Sequence, residues 1–266
     1  IIHRQQPDVG KLIAEITTQP ADTNFAADDD VRHEFWVVKD DLRVDALREA
    51  FATIPEMYIA DGHHRSESAS EVCRRLREKN PDHTGDEPYN FFLTVIFPDD
   101  EVRILSYNRV VSDLNGLTPA EMLQKASDKF SISETGGAFS SDKPGQIGVY
   151  CDHKWYSLQV REGSFDVSDP VESIDSAILT RNFLAPVLDI VDLRTDKRIG
   201  FIGGIRGTEE LVRLVDSGEY EVAFTLPPVS VRQLLDVADA GGVMPPKSTW
   251  FEPKLRSGMA VSALEE

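Results

Sequence analysis

Asp61-Gly62-His63-His64-Arg65 puts one carboxylate, two imidazoles and one guanidinium within five consecutive positions. Arg65 carries a fixed fork of donors that suits phosphate oxygens. Asp61 offers the opposite chemistry, as a magnesium ligand or a proton acceptor. What these groups can do depends on the flanking sequence. Met57-Tyr58-Ile59-Ala60 is a short apolar run that reads as a buried strand, and Asp61-Gly62 breaks it. From His63 to about Asn80, Ala69, Val72, Cys73 and Leu76 recur at helical spacing and predict a helix with one buried face. The basic residues then occupy the first turn of that helix. Free N–H groups and the positive end of the dipole point the same way there and favour an anion, phosphate above all. A plainer reading makes Asp61 an N-cap, Gly62 a turn residue and the basic side chains a solvated surface. Against it, cations on a first turn oppose the helix dipole and call for a compensating anion.

A second stretch, Met244 to Lys254, follows two prolines with Lys247, Ser248 and Thr249 and then with Trp250 and Phe251. One cation and two hydroxyls on a stiff loop beside aromatics suit ligand binding. A proline-rich segment packed by its own aromatics is the alternative. Both stretches carry cationic and hydroxyl or imidazole donors on an otherwise acidic chain, so they are expected to converge on one anion. A third, Gly200 to Thr208, lies between a strand and a helix but lacks the Gly-Lys-Ser/Thr ending of a phosphate loop. It reads as a turn packed on a sheet, with Arg206 and Thr208 at the helix start. His3, His33, His83 and His153 have no metal-ligand spacing.

The elements that must position these groups mix two patterns. Helices are expected at Val9–Thr17, Asp41–Thr53, Val171–Leu184 and Ser230–Ala240, with Gln19–Asp30 as a loop. Thr118-Pro119-Ala120-Glu121 is a capping box opening another helix, and Thr208 opens one that Gly218 closes. Strands are expected at His33–Val38, Phe91–Phe97, Val102–Val111, Arg198–Ile202, Val222–Leu226 and Met259–Leu264. Hairpins are expected at Pro98-Asp99-Asp100 and around Asp152-His153. Antiparallel hairpins among alternating helices and strands argue for an α+β fold of mixed sheets with flanking helices, not a doubly wound parallel sheet. A division near residue 112 is expected, with the Asp-Gly-His-His-Arg part at 1–112 and a C-terminal α+β part at 113–266.

Composition narrows the partners. Asp and Glu number 46 against 28 Lys and Arg, for a net charge of −18, which repels a nucleic-acid backbone. The basic islands are small, and small anionic ligands suit them better than nucleic acid. The two cysteines, Cys73 and Cys151, form neither a disulfide framework nor a zinc site, and a reducing cytosol is expected. No apolar run reaches the length of a membrane span, so no membrane partner is expected. A homodimer is compatible with the sequence but not specified by it.

Tyr58 to Arg65 and Met244 to Lys254, supported by Arg198 to Gly207 and Val222 to Leu226, resemble the DUF1015 family of widespread, uncharacterised bacterial proteins. Family members are longer at the N-terminus, so the chain, which begins at Ile1, is expected to be about the C-terminal two-thirds of one. The Asp-Gly-His-His-Arg string is also similar to the motif of ParB-like nucleotide-binding domains, which free L-serine kinases of the SerK type carry. This resemblance implies a ParB/SerK-like nucleotide-binding core. It implies Asp61 at the magnesium or hydroxyl end, and His63, His64 and Arg65 on phosphates. Asp61 and His64 become the candidate catalytic residues, and Gly62, His63, Arg65, Lys247, Ser248 and Thr249 the candidate nucleotide-binding set. Mg2+ and ATP or ADP are the implied cofactors, and free L-serine a candidate acceptor. The family's acidic base has no matching position here. A non-catalytic nucleotide-binding regulator is the rival expectation.

Overall fold

The computed structural model describes residues 1–256 and 258–262. Helices and mainly antiparallel sheets share the chain, so the fold class is α+β. The residues gather into two compact units, 1–102 with the segment from Leu255 onward, and Arg103–Lys254.

In chain order the first unit holds β1 (Ile2–His3), α1 (Pro7–Ile16), β2 (Thr23–Ala26), β3 (Arg32–Phe35), α2 (Asp41–Ala52) and α3 (His63–Lys79). A 3-10 turn at Pro88–Asn90 and β4 (Phe97–Pro98) complete it. The helix starts follow local chemistry. Pro7 opens α1 where a missing N–H costs nothing, and the Asp40 carboxylate accepts from the Arg43 N–H at 3.0 Å to cap α2.

The first unit departs from the sequence reading in four places. Met57–Ala60 is not a strand: only Tyr58 pairs, through a bridge to Ile2, while Met57 and Ile59 are exposed. The Gln19–Asp30 loop contains β2, which forms a hairpin with β3. Phe91–Phe97 reduces to β4, which pairs in parallel with β1, and Phe91 is 66% exposed. The face of α3 is not buried either: Ala69 and Cys73 are half-buried, and Val72 and Leu76 are 51% and 40% exposed. Apolar runs record a tendency toward burial. They do not name the neighbour that supplies the ladder or the cover, and α3 packs chiefly on the short Pro88–Asn90 turn.

The second unit holds β5 (Arg103–Leu105), β6 (Tyr107–Val111), α4 (Pro119–Ala126), β7 (Phe130–Thr135), β8 (Gln146–Cys151) and β9 (Lys154–Val160). It continues with α5 (Asp175–Leu179), a π-turn (Thr180–Leu184), α6 (Ala185–Leu188), β10 (Ile199–Gly203) and α7 (Gly207–Asp216). It ends with β11 (Val222–Thr225), α8 (Val231–Asp239) and β12 (Trp250–Glu252). Six antiparallel strands form one sheet in the order β10-β6-β11-β8-β9-β7, and β12 pairs with β5. Alternation sorts its side chains. Ile147, Val149, Phe224 and Val111 face a core with Met122, Ile178, Phe183 and Leu188, whereas Tyr150, Val110 and Ala223 pack with Leu211 and Leu214 of α7 on the other face.

Several local signals operate as read. The Thr118–Glu121 capping box is formed in full. Asp152 and His153 both take positive φ, 48° and 58°, as a two-residue type I′ hairpin between β8 and β9 requires. Others shift. β6 does not return on Phe91–Phe97 but pairs with β10 and β11. The helix expected over 171–184 runs from Asp175 to Leu188. Pro186 lacks a donor inside it, and the ladder widens to the π-turn just before. β12 lies within a stretch read as loop. The expected strand Met259–Leu264 does not form at 259–262, and its last residues lie outside the described residues.

Candidate functional site

Gly62 stands in the cap position of α3 with φ 81° and ψ 29°, a left-handed conformation that glycine adopts without strain. A Cβ there would also lie 2.9 Å from Nη2 of Arg65, so the guanidinium folds back over the glycine. Asp61 is therefore not the N-cap. Its Oδ1 accepts the Gly62 N–H at 2.9 Å, and among the described residues no side chain caps the helix. The ladder begins with the Ser66 N–H on the Gly62 carbonyl at 2.9 Å, which leaves the N–H groups of His63, His64 and Arg65 ahead of it. No acidic residue lies on the first turn, and His63, His64 and Arg65 are all exposed. His64 Nδ1 stands 3.9 Å from Glu67, both side chains open to solvent, a contact of little energetic weight. The turn thus presents free donors, a dipole end and three basic side chains to solvent.

Asp61 offers one carboxylate, and among the described residues no group of three or more His, Cys, Asp or Glu could hold a metal ion. Magnesium ordinarily rests on one or two carboxylates, with phosphates and waters completing its shell. Asp61 is thus one group able to contribute to such a shell.

Lys247, Ser248 and Thr249 belong to the second unit. Lys247 is exposed with φ 56°, and its ammonium lies 5.8 Å from the Tyr107 ring centroid. Ser248 is buried. Its hydroxyl donates to the Pro245 carbonyl and shares a hydrogen bond with Ser176 of α5, both at 2.7 Å, so it acts on the loop's shape. Thr249 is half-buried. Next to Ser176, Asp175 accepts the Gly145 N–H at 2.6 Å, and burial pushes its carboxyl up to about 6.

The structure joins two stretches that the sequence kept apart. A Cβ on Gly203 would lie 2.6 Å from the Trp250 ring, so the Gly200–Thr208 turn packs under the Met244–Lys254 loop. Tyr107 lies between them, edge-on to Trp250 at 5.5 Å and to Phe201 at 6.3 Å. Arg206 is exposed, 3.7 Å from Glu210. Beneath them Arg109 is 1% exposed, and burial pushes its guanidinium down to about 9, still charged at neutral pH. It donates to the carbonyls of Tyr107 and, at 3.3 Å, Pro246, and lies 4.7 Å over Phe201. Sequence reasoning missed Arg109. Its only signal was an arginine inside an apolar run, Tyr107-Asn108-Arg109-Val110-Val111.

Among curated proteins none matches the sequence. Solved structures similar to this chain include a free serine kinase in complex with AMP, 14% identical with a TM-score of 0.39, covering 94% of this chain and 82% of that one. A mutant free serine kinase in complex with ADP is 14% identical with a TM-score of 0.38, over the same shares. A conserved hypothetical protein from Pyrococcus furiosus is 15% identical with a TM-score of 0.39, covering 94% of this chain and 85% of that one. At this level of likeness no chemistry passes from those proteins to this chain. A family model does match more than half of the sequence, over residues 1–177, from β1 into the start of α5, and takes in the Asp61–Arg65 turn. The chain belongs to the DUF1015 family, proteins of unknown function.

Proposed function

We propose that this protein is a nucleotide-dependent phosphotransferase that moves a phosphoryl group from ATP or ADP to the hydroxyl of a small molecule, free L-serine being the first candidate. One observation carries the reading: the uncapped N-terminus of α3, with no acid and three exposed basic residues on its first turn. Phosphates placed there would accept the backbone N–H groups and the guanidinium of Arg65 and would offset the dipole. Gly62 lets backbone and guanidinium approach together. The similarity of Asp-Gly-His-His-Arg to ParB-like motifs supports the same assignment. Phosphoryl transfer asks a protein mainly for positioning and charge neutralisation. His63, His64 and Arg65 supply part of both; Lys247 and Thr249, in the second unit, are candidates for phosphate contact on their own. Asp61 and His64 are the candidates to take the acceptor's hydroxyl proton as its oxygen bonds to phosphorus and the P–O bond to the leaving ADP or AMP breaks. A bound magnesium would neutralise phosphate charge, with Asp61 as its protein ligand.

The exposure of all three basic side chains favours a second reading, a nucleotide-binding regulator that does no chemistry, since catalysis of this kind profits from excluding water. Turnover of ATP and ADP with and without serine separates the two. The kinase reading expects serine-dependent nucleotide consumption and phosphoserine. Bound nucleotide without turnover, across a panel of small hydroxyl compounds, would overturn it.

A further inference from the structure

The second unit buries a positive charge for which the fold alone gives no reason. Among the described residues no carboxylate pairs with Arg109. Its partners are main-chain carbonyls and the rings of Phe201 and Tyr107, at 4.7 Å and 5.9 Å. A neutral donor such as glutamine could hold one of those carbonyls without desolvating a cation. The charge adds a field, felt most at the loop the guanidinium touches. One of its bonds is to the carbonyl of Pro246, the residue before Lys247. Lys247 in turn carries a left-handed backbone, uncommon for a side chain of its kind. Its exposed ammonium and the guanidinium of Arg109 both lie within 6 Å of the Tyr107 ring. Two cations thus flank one aromatic ring on a chain of net charge −18.

We propose that Arg109 is the positioning residue of an anion site at Lys247, holding the Pro245-Pro246-Lys247 turn through the Pro246 carbonyl so that the ammonium is presented over Tyr107 to a phosphate group. The site takes phosphate-bearing small molecules, with the ring of Tyr107 as floor and the buried guanidinium supporting the field from below. The inference rests on the reading that Lys247 meets phosphate. It does not rest on the α3 turn, and the two are separable in one experiment.

The test is a calorimetric titration of the full chain with inorganic pyrophosphate, without magnesium. Lys247→Ala is expected to weaken binding by about tenfold or more, the range for a lost hydrogen bond to a charged group. Arg109→Gln, which keeps a donor and loses the charge, is expected to cost about tenfold, and much less in the Lys247→Ala background, because coupled sites are not additive. Folded Arg109→Gln that binds as tightly as the wild type, or that loses as much with Lys247 already absent, would overturn the positioning role. Where Arg109→Gln does not fold, Pro246→Ala loosens the same turn while leaving the sheet intact. It is expected to weaken binding in the same direction, and unchanged affinity overturns the proposal. Arg65→Ala in the same titration keeps the two readings apart. Loss with Lys247→Ala but not with Arg65→Ala leaves this site standing and removes the α3 turn, and the reverse pattern removes this site.

Discussion

Replacing Asp175 with asparagine should stabilise this protein at neutral pH. Asp175 opens α5 and is 4% exposed, with its Oδ1 on the Gly145 N–H at 2.6 Å. Burial lifts its carboxyl to about 6 against an ordinary 3.8, outweighing the lowering effect of the Gly145 bond. The folded state therefore holds this proton more tightly than the unfolded chain does. Its contribution to stability is full below about pH 3.8 and is lost as the pH rises through 6. The gap of about two pH units, at about 1.36 kcal/mol each, corresponds to roughly 3 kcal/mol lost from the wild type by pH 7.5. Asparagine keeps the oxygen that Gly145 needs and cannot ionise. In urea unfolding at pH 7.5, Asp175→Asn should exceed the wild type by up to about 3 kcal/mol, and the difference should shrink toward zero near pH 4. Comparing the two proteins cancels the other titrating groups. A variant less stable than the wild type at pH 7.5, or a difference that does not change with pH, would refute the reasoning.

Met122 of α4 is wholly buried in the main core of the second unit, so Met122→Ala should cost about 2–5 kcal/mol in the same assay. Leu76→Asp, on the open face of α3, should change the unfolding free energy by no more than about 1 kcal/mol, and loss of the folded protein would show that this face is covered in solution. The Cys151 thiol, wholly buried and pushed up to about 12, should resist a thiol reagent in the folded protein at pH 8 while Cys73, half-buried, reacts first; mass spectrometry of the labelled peptides reads the order.

The sequence was legible where a local device decides the structure. The Thr118–Glu121 capping box, the Asp152-His153 hairpin and the Ser230 start of α8, itself a capping box, all follow from side chains within a few residues of one another. Phe91 to Val95 and the Val72–Leu76 face were misread for the opposite reason. Their apolar character predicts cover, but which strand or layer supplies it depends on pairing at long range, and the Tyr107 strand chose β10 and β11 instead. At the candidate site, the helix start at His63 and the glycine break were readable from residue type, whereas the cap belongs to Gly62 and not to Asp61. Arg109 was invisible because a buried cation in a strand has no local signature. Only the fold shows that it reaches Pro246, distant in sequence.

The central claim is that the first turn of α3 binds nucleotide phosphates, and calorimetric titration of the wild type and Arg65→Ala with ADP tests it most directly. The account predicts a measurable dissociation constant for the wild type. Arg65→Ala should lose about 1.5–3 kcal/mol, the range for a hydrogen bond to a charged group, with unchanged melting because the side chain is exposed. A wild type that binds no ADP, or an Arg65→Ala variant that binds it equally well, would contradict the claim and leave Asp61 to Arg65 as no more than the start of a helix.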